Sequence, residues 1–120
     1  MITEIRLRRA HIELVSPFRT SFGVETAREL LYLEVVGDGV VGWGECTAMS
    51  EPMYSSEYVD GCEEVLRRFL LPRVSSDSSA ESFNEAVSGV RGHYMAKAVL
   101  ETALLDHQLR RDGVSFAEFF

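Results

Sequence analysis

The sequence predicts an α+β fold in which a three-stranded antiparallel meander precedes a helical bundle. Three observations carry this prediction. Residues 2–15 alternate apolar and polar residues with one shift of phase, the pattern of a half-buried strand, and residues 29–36 and 40–46 are two further β-rich runs. Gly37-Asp38-Gly39 separates the last two runs, a tight-turn signal between β-rich segments. Beyond residue 47 the apolar period lengthens to about 3.6, the period of an amphipathic helix.

In the first strand, Ile5 and Leu7 share one face, while Ala10, Ile12 and Leu14 continue in the opposite phase. A one-residue slip of this kind predicts a bulge or bend near Arg8-Arg9. Pro17 cannot donate to a ladder, so it ends the strand, and residues 16–28 follow as a loop. Residues 29–36 and 40–46 complete the meander, and residues 47–55 form a second loop leaving the sheet.

Tyr58, Cys62, Val65 and Phe69 lie on one helical stripe, with Val59, Leu66 and Leu70 beside it. Ser55 or Ser56 can cap this helix, Glu57 suits its positive end, and Pro72 stops it. Ser75 to Ser79 form a polar linker. Ser78 and Glu81 have capping-box spacing ahead of a short helix carrying Phe83, Ala86 and Val87. Gly89 and Gly92 break that helix, and a long one follows from about Tyr94 to Arg111. Its apolar residues (among them Met95, Val99, Leu100, Leu104, Leu105 and Leu109) cover more than one face. The meander can cover only one side, so this helix is expected to meet another domain or subunit, and self-association is expected of the isolated chain. Gly113 caps it, and Ser115 starts a last short helix.

With 120 residues, 46% of them hydrophobic and 26% charged, the chain has the size and composition of one globular domain. No apolar run approaches the ~20 residues that span a bilayer, and the first residues lack a signal-peptide core. A cytoplasmic location without membrane contact is expected. A net charge of −7 with acids spread along the chain argues against nucleic-acid binding, which needs concentrated Lys and Arg. Arg19 and Arg28 sit in or beside the first loop, where they can offset the negative field for an anionic ligand or simply stay solvated.

The signatures of several enzyme classes are missing. There is no G-x-S-x-G, P-loop or helix-opening G-x-G-x-x-G. His11, His93 and His107 lack ligand spacing, and Cys46 and Cys62 lack that of a metal knuckle. These cysteines are expected to be reduced, without a disulfide or zinc. Glu101 and Asp106 fall on different faces of the long helix, where each is expected to bond a backbone or basic neighbour. Lys97 is the only lysine and has no partner for catalysis. What remains is a binding surface. Phe18, Phe22, Met49 and Tyr54 occupy the two loops leaving the sheet, where large apolar side chains are exposed unless a ligand, a partner or the loops themselves cover them.

Leu7-Arg8-Arg9, Pro17-Phe18-Arg19-Thr20-Ser21-Phe22-Gly23, Arg28-Glu29-Leu30-Leu31 and Gly42-Trp43-Gly44-Glu45-Cys46 together resemble the N-terminal capping domain of the enolase superfamily. The likeness is to the o-succinylbenzoate synthase / N-acylamino acid racemase family. It continues through Pro52-x-Tyr54-Ser55-Ser56-Glu57-Tyr58, Gly92-His93-x-Met95-Ala96-Lys97 and Ala103-Leu104-Leu105-Asp106, and so covers almost the whole chain.

The resemblance implies that residues 1–120 are a single capping domain. Residues 1–46 would form the sheet with a substrate loop at 16–28, and residues 47–120 the second loop and helices. A C-terminal (β/α) barrel, absent from this sequence, would hold Mg²⁺ or Mn²⁺ on three carboxylates and supply two lysines. No catalytic or metal-binding residue is therefore expected in this chain. The substrate would be a small anionic carboxylate. Synthase activity would dehydrate 2-succinyl-6-hydroxy-2,4-cyclohexadiene-1-carboxylate in menaquinone biosynthesis, and racemase activity would act on N-acylamino acids. Carried over residue by residue, Phe18, Phe22, Met49 and Tyr54 would meet the non-reacting end of the substrate, with Arg19 and Gly23 shaping the first loop. The alternatives are a free-standing interaction module without catalysis, or the cap of a related dipeptide epimerase.

Overall fold

In a computed structural model describing residues 1–120, strands β1 (Ile2–Thr20), β2 (Gly23–Gly37) and β3 (Val40–Cys46) form one antiparallel sheet in the order β1-β2-β3. Asp38 and Gly39 make the β2–β3 turn with φ of 53° and 75°. Two successive positive φ values match the right-handed twist of a hairpin.

The region of residues 16–28 is not a loop. β1 and β2 continue pairing to Thr20↔Gly23, so the segment is a β-hairpin arm with a two-residue turn at Ser21-Phe22. Pro17 does not end β1, because it lies in Leu14–Pro17, where the edge strand has no ladder partners and a missing N–H costs no bond. Pairing is also continuous from Glu4↔Val36 to Glu13↔Ala27, so there is no bulge at Arg8-Arg9. The apolar phase slip has another cause. Ile5 and Leu7 face the helices, whereas Ala10 and Ile12 lie on the opposite face of an unbroken strand, leaving Ile12 49% exposed.

Helix α1 (Val59–Val65) runs on through a π-turn, Leu66–Leu70, and a 3₁₀ turn, Leu71–Arg73, that contains Pro72. Its N-cap is Tyr58 without a side-chain bond, so neither Ser55 nor Ser56 caps it. Helix α2 (Ala80–Ala86) opens with a capping box of Ser79 and Ser82, one residue beyond the expected Ser78 and Glu81. Helix α3 (Tyr94–Asp112) ends at left-handed Gly113, and α4 (Phe116–Phe119) follows the Ser115 cap.

α3 crosses the face of the sheet at Gly42 and Gly44, where a Cβ would collide with the backbone at His107 and Val99. These glycines let the helix sit on the strand, and Leu31, Leu33 and Val35 pack beside them. On its other sides α3 meets α1, the π-turn and α2. Ala96, Val99, Leu100, Ala103 and Leu104 are thereby fully buried within the chain itself. The sheet, α1, the π-turn and α2 cover these positions, while Met95 and Leu105 of the same helix stay only partly buried. No helix is long and apolar enough to cross a membrane.

Candidate functional site

The arm and the segment after β3 face each other across a cleft of about 500 Å³. Phe18, Thr20 and Phe22 come from the arm, Met49, Tyr54 and Ser55 from the segment 47–58, and Met95 from the first turn of α3. Four of the six side chains singled out from the sequence (Phe18, Phe22, Met49 and Tyr54) thus line one cavity. Phe18, Phe22 and Tyr54 remain exposed, so internal packing leaves their apolar surface available. Gly23 lines a shallower neighbouring cleft of about 290 Å³ with Phe22 and Met49. Its φ of 136° needs glycine. Arg19 pairs with Val24 and lines neither cleft.

Three charged groups complete the wall. Arg28 Nη2 donates to the Thr47 carbonyl at 2.6 Å and its Nε lies 3.6 Å from Glu25 Oε2, tying β2 to the second segment. Glu25 Oε2 is buried and has no hydrogen-bond partner. An acceptor left this way asks for a donor, because a buried lone pair without one costs about 1–3 kcal/mol.

Glu57 acts at a distance. Its two oxygens accept from the Met95 N–H at 3.0 and 2.9 Å, and Oε1 also accepts from the Ala96 N–H at 3.2 Å. The N-cap of α3, His93, is in the left-handed region (φ 58°) and gives no side-chain bond. Glu57 therefore takes over the capping of α3 rather than serving α1, and its charge sits at the positive end of a 19-residue helix. Ser55 supports it by accepting the Glu57 N–H at 3.2 Å. Sequence reasoning missed this role, although a histidine where Ser, Thr, Asp or Asn is preferred signals that the donors of α3 need an outside acceptor. It also missed Glu25, Thr47 and Met95, which enter the cleft from three different elements.

The other candidates stand outside the cleft. Lys97 Nζ donates to the Val90 carbonyl and lies 5.5 Å from the Tyr94 ring centre. Glu101 accepts from Asn84 Nδ2 at 2.8 Å. Asp106 accepts from the outward N–H of Trp43 at 2.8 Å and from Arg110 Nε at 2.9 Å. His107 Nε2 bonds the Gly37 carbonyl inside the core. Cys46 and Cys62 are buried free thiols. The bond to Cys46, reinforced by burial, pushes the Cys62 thiol up and keeps it protonated.

No cluster of three His, Cys, Asp or Glu could hold a metal. Glu57 is engaged with α3 and Glu25 stands beside Arg28. The donor set of this chain does not fit Mg²⁺ or Mn²⁺. What the cleft can do is bind and enclose an apolar group beside one guanidinium and one free acceptor.

Comparison with known proteins identifies the family and the fold. The family model for the mandelate racemase / muconate lactonizing enzyme N-terminal domain matches residues 2–120. The chain is 47% identical over 118 residues to an N-succinylamino acid racemase of Amycolatopsis, covering 97% of this chain and 32% of that protein. It is 40% identical over 120 residues to the o-succinylbenzoate synthase of Geobacillus stearothermophilus, covering 98% and 32%. Among solved structures, an enolase-superfamily member from Listeria innocua superposes with a TM-score of 0.79 at 29% identity, over 86% of this chain and 29% of that one. The chain thus spans about a third of the length of the relatives it matches.

Proposed function

The chain belongs to the mandelate racemase / muconate lactonizing enzyme family as an N-terminal domain, and from that premise we propose that it caps the active site of an o-succinylbenzoate synthase that also racemises N-acylamino acids. One observation carries the reading: Phe18 and Phe22 from the arm and Met49 and Tyr54 from the second segment converge on a single open cleft. Apolar side chains that stay exposed in the folded chain gain contact energy only when something enters between them, about 25 cal/mol for each Å² covered.

In this proposal the cleft receives the non-reacting end of a small carboxylate substrate. That substrate is either 2-succinyl-6-hydroxy-2,4-cyclohexadiene-1-carboxylate, in menaquinone biosynthesis, or an N-acylamino acid. Phe18, Phe22, Met49 and Tyr54 hold the carbon chain and exclude water, while Glu25 Oε2 accepts from a ligand N–H or O–H. Arg19 and Gly23 act by shaping the arm. A C-terminal (β/α) barrel supplies the catalytic lysines and the Mg²⁺ or Mn²⁺ ion, and the enzyme is cytoplasmic.

A chimera tests this. The chain is fused ahead of the remaining two thirds of the 47%-identical racemase, and turnover of both substrates is measured. The expected outcome is activity on at least one of them. A folded chimera inactive on both, beside an active parent, would sink the proposal and favour an interaction module.

A further inference from the structure

The arm has little to hold it in place. No residue from Ser16 to Arg28 is buried. β3 reaches along β2 only as far as Leu31↔Cys46, so beyond that point β1 and β2 continue as a two-stranded ribbon. At the root of the ribbon, Leu14–Pro17 have no ladder partners, and the pairing that would stiffen the junction is missing. A two-stranded hairpin is only marginally ordered in water unless something else fixes it. Yet the cleft keeps its shape only while Phe18 and Phe22 on the arm stay opposite Met49 and Tyr54.

One side chain supplies the link. Arg28 pairs with Ile12 in the ladder and lines a small hollow of about 210 Å³ with Ile12, Leu14 and Leu30, on the face of the sheet turned away from the helices. The same side chain reaches past the end of β3 and lines the cleft as well. Its Nη2 donates to the Thr47 carbonyl at 2.6 Å, and no other hydrogen bond or ion pair joins residues 16–28 to residues 47–58. The far side of that bond is anchored. Two residues on, the Met49 carbonyl accepts the Val59 N–H at 2.9 Å, at the start of α1. Arg28 Nε stands 3.6 Å from Glu25 Oε2, too far for a hydrogen bond but near enough to orient the carboxylate.

We infer that Arg28 is the positioning residue of the cleft: it holds the arm and the second segment at the spacing in which Phe18 and Phe22 face Met49 and Tyr54 before any ligand arrives. A site set in advance spares the ligand the cost of ordering it. Direct capture of a ligand carboxylate suits this guanidinium less well. One of its nitrogens is engaged with Thr47 and another faces Glu25, so a second carboxylate would have to stand beside the first and be repelled by it. The kinetic consequence of this role rests on the capping function proposed above, whereas the structural consequence does not.

Amide N–H residual dipolar couplings of the 120-residue chain test the structural consequence. In the parent, residues 18–25 are expected to share one alignment with α3. In Arg28→Ala their couplings should shrink to about half or less as the arm averages over orientations, while those of α3 stay unchanged. Arg67→Ala, which removes an exposed arginine elsewhere, should change neither. Arg28→Lys keeps the charge but has a single donor point for Thr47 or Glu25, so intermediate couplings are expected, and it decides the matter if Arg28→Ala does not fold. An arm as ordered in the variants as in the parent would overturn the inference, and so would an arm already disordered in the parent. In the active chimera, Arg28→Ala should raise KM at least about tenfold and leave kcat within about threefold, the sign of lost uniform binding. The rise should be the same for an N-acetyl and an N-succinyl derivative of one amino acid, which differ by a carboxylate on the acyl group. A rise confined to the succinyl derivative would make Arg28 a charge contact and overturn its positioning role. A chimera inactive before any substitution counts against the capping function alone, because the dipolar couplings need no substrate.

Discussion

Replacing Glu57 by alanine removes the acceptor for two N–H groups at the start of α3 without touching the helix itself. Loss of an N-cap costs about 0.5–2 kcal/mol. The charge adds about 0.3–1 kcal/mol through the helix dipole, toward the upper end because the carboxylate is half buried. His93 cannot substitute, since its side chain makes no cap bond. Together these give about 1.5–3 kcal/mol, a large share of the 5–15 kcal/mol that typically holds a domain. Glu57→Gln keeps a carbonyl acceptor and loses the charge, so about 1 kcal/mol is expected. The assay is urea denaturation with Glu51→Ala, an exposed residue of the same segment, as control. Amide exchange at Met95 and Ala96 should accelerate in step. A Glu57→Ala variant within about 0.5 kcal/mol of the parent chain, the usual range for neutral surface changes, would refute the capping argument.

Two further outcomes follow from the same geometry. In the active chimera, Phe22→Ala should lower kcat/KM by about 1–3 kcal/mol of lost apolar contact, and an unchanged value would remove Phe22 from the substrate side of the cleft. Gly42→Ala should destabilise the chain by about 3 kcal/mol or more, since its methyl group would meet the α3 backbone at His107 and overpacking rigid atoms is costly. Gly89→Ala, which meets nothing within 4 Å, should be near neutral, and equal effects of the two in thermal unfolding would disprove the close crossing.

Features set by neighbours in the chain were legible in advance. The Asp38-Gly39 turn, the three strands and the start of α3 at Tyr94 each rest on a local pattern and stand in the structure, whereas the stripe of Tyr58, Cys62, Val65 and Phe69 is only half buried, Tyr58 and Phe69 staying exposed while the neighbouring Val59, Leu66 and Leu70 enter the core. The apolar tips Phe18, Phe22, Met49 and Tyr54 were legible for a similar reason, because large apolar residues in turn-like segments have few places to hide. What could not be read depends on distant partners. Glu57 looked like a first-turn acid of α1, yet its bonds go to residues 38 and 39 positions away. Most of the apolar surface of α3 is covered by a glycine-floored strand together with α1, the π-turn and α2, a cover its own sequence does not reveal. Ile12 and Ala10 looked like a slipped strand, although their phase marks a second apolar face.

Pro17 shows how one sequence signal can be sound and still mislead about shape. Between Glu13↔Ala27 and Phe18↔Glu25, the four residues Leu14–Pro17 of β1 stand opposite Thr26 alone. The excess of three residues is odd, and side chains alternate with a period of two, so every β1 residue beyond the break changes face. Before it, even-numbered residues such as Arg8 and Ile12 point to the outer face. After it, Phe18 and Thr20 line the cleft with Met95 and Glu57 on the helix side. An uninterrupted ladder would have turned Phe18 toward the outer face, away from Met49 and Tyr54. The proline therefore stands where the strand must forgo pairing. That break lets a single edge strand present Arg8 to one surface and Phe18 to the other.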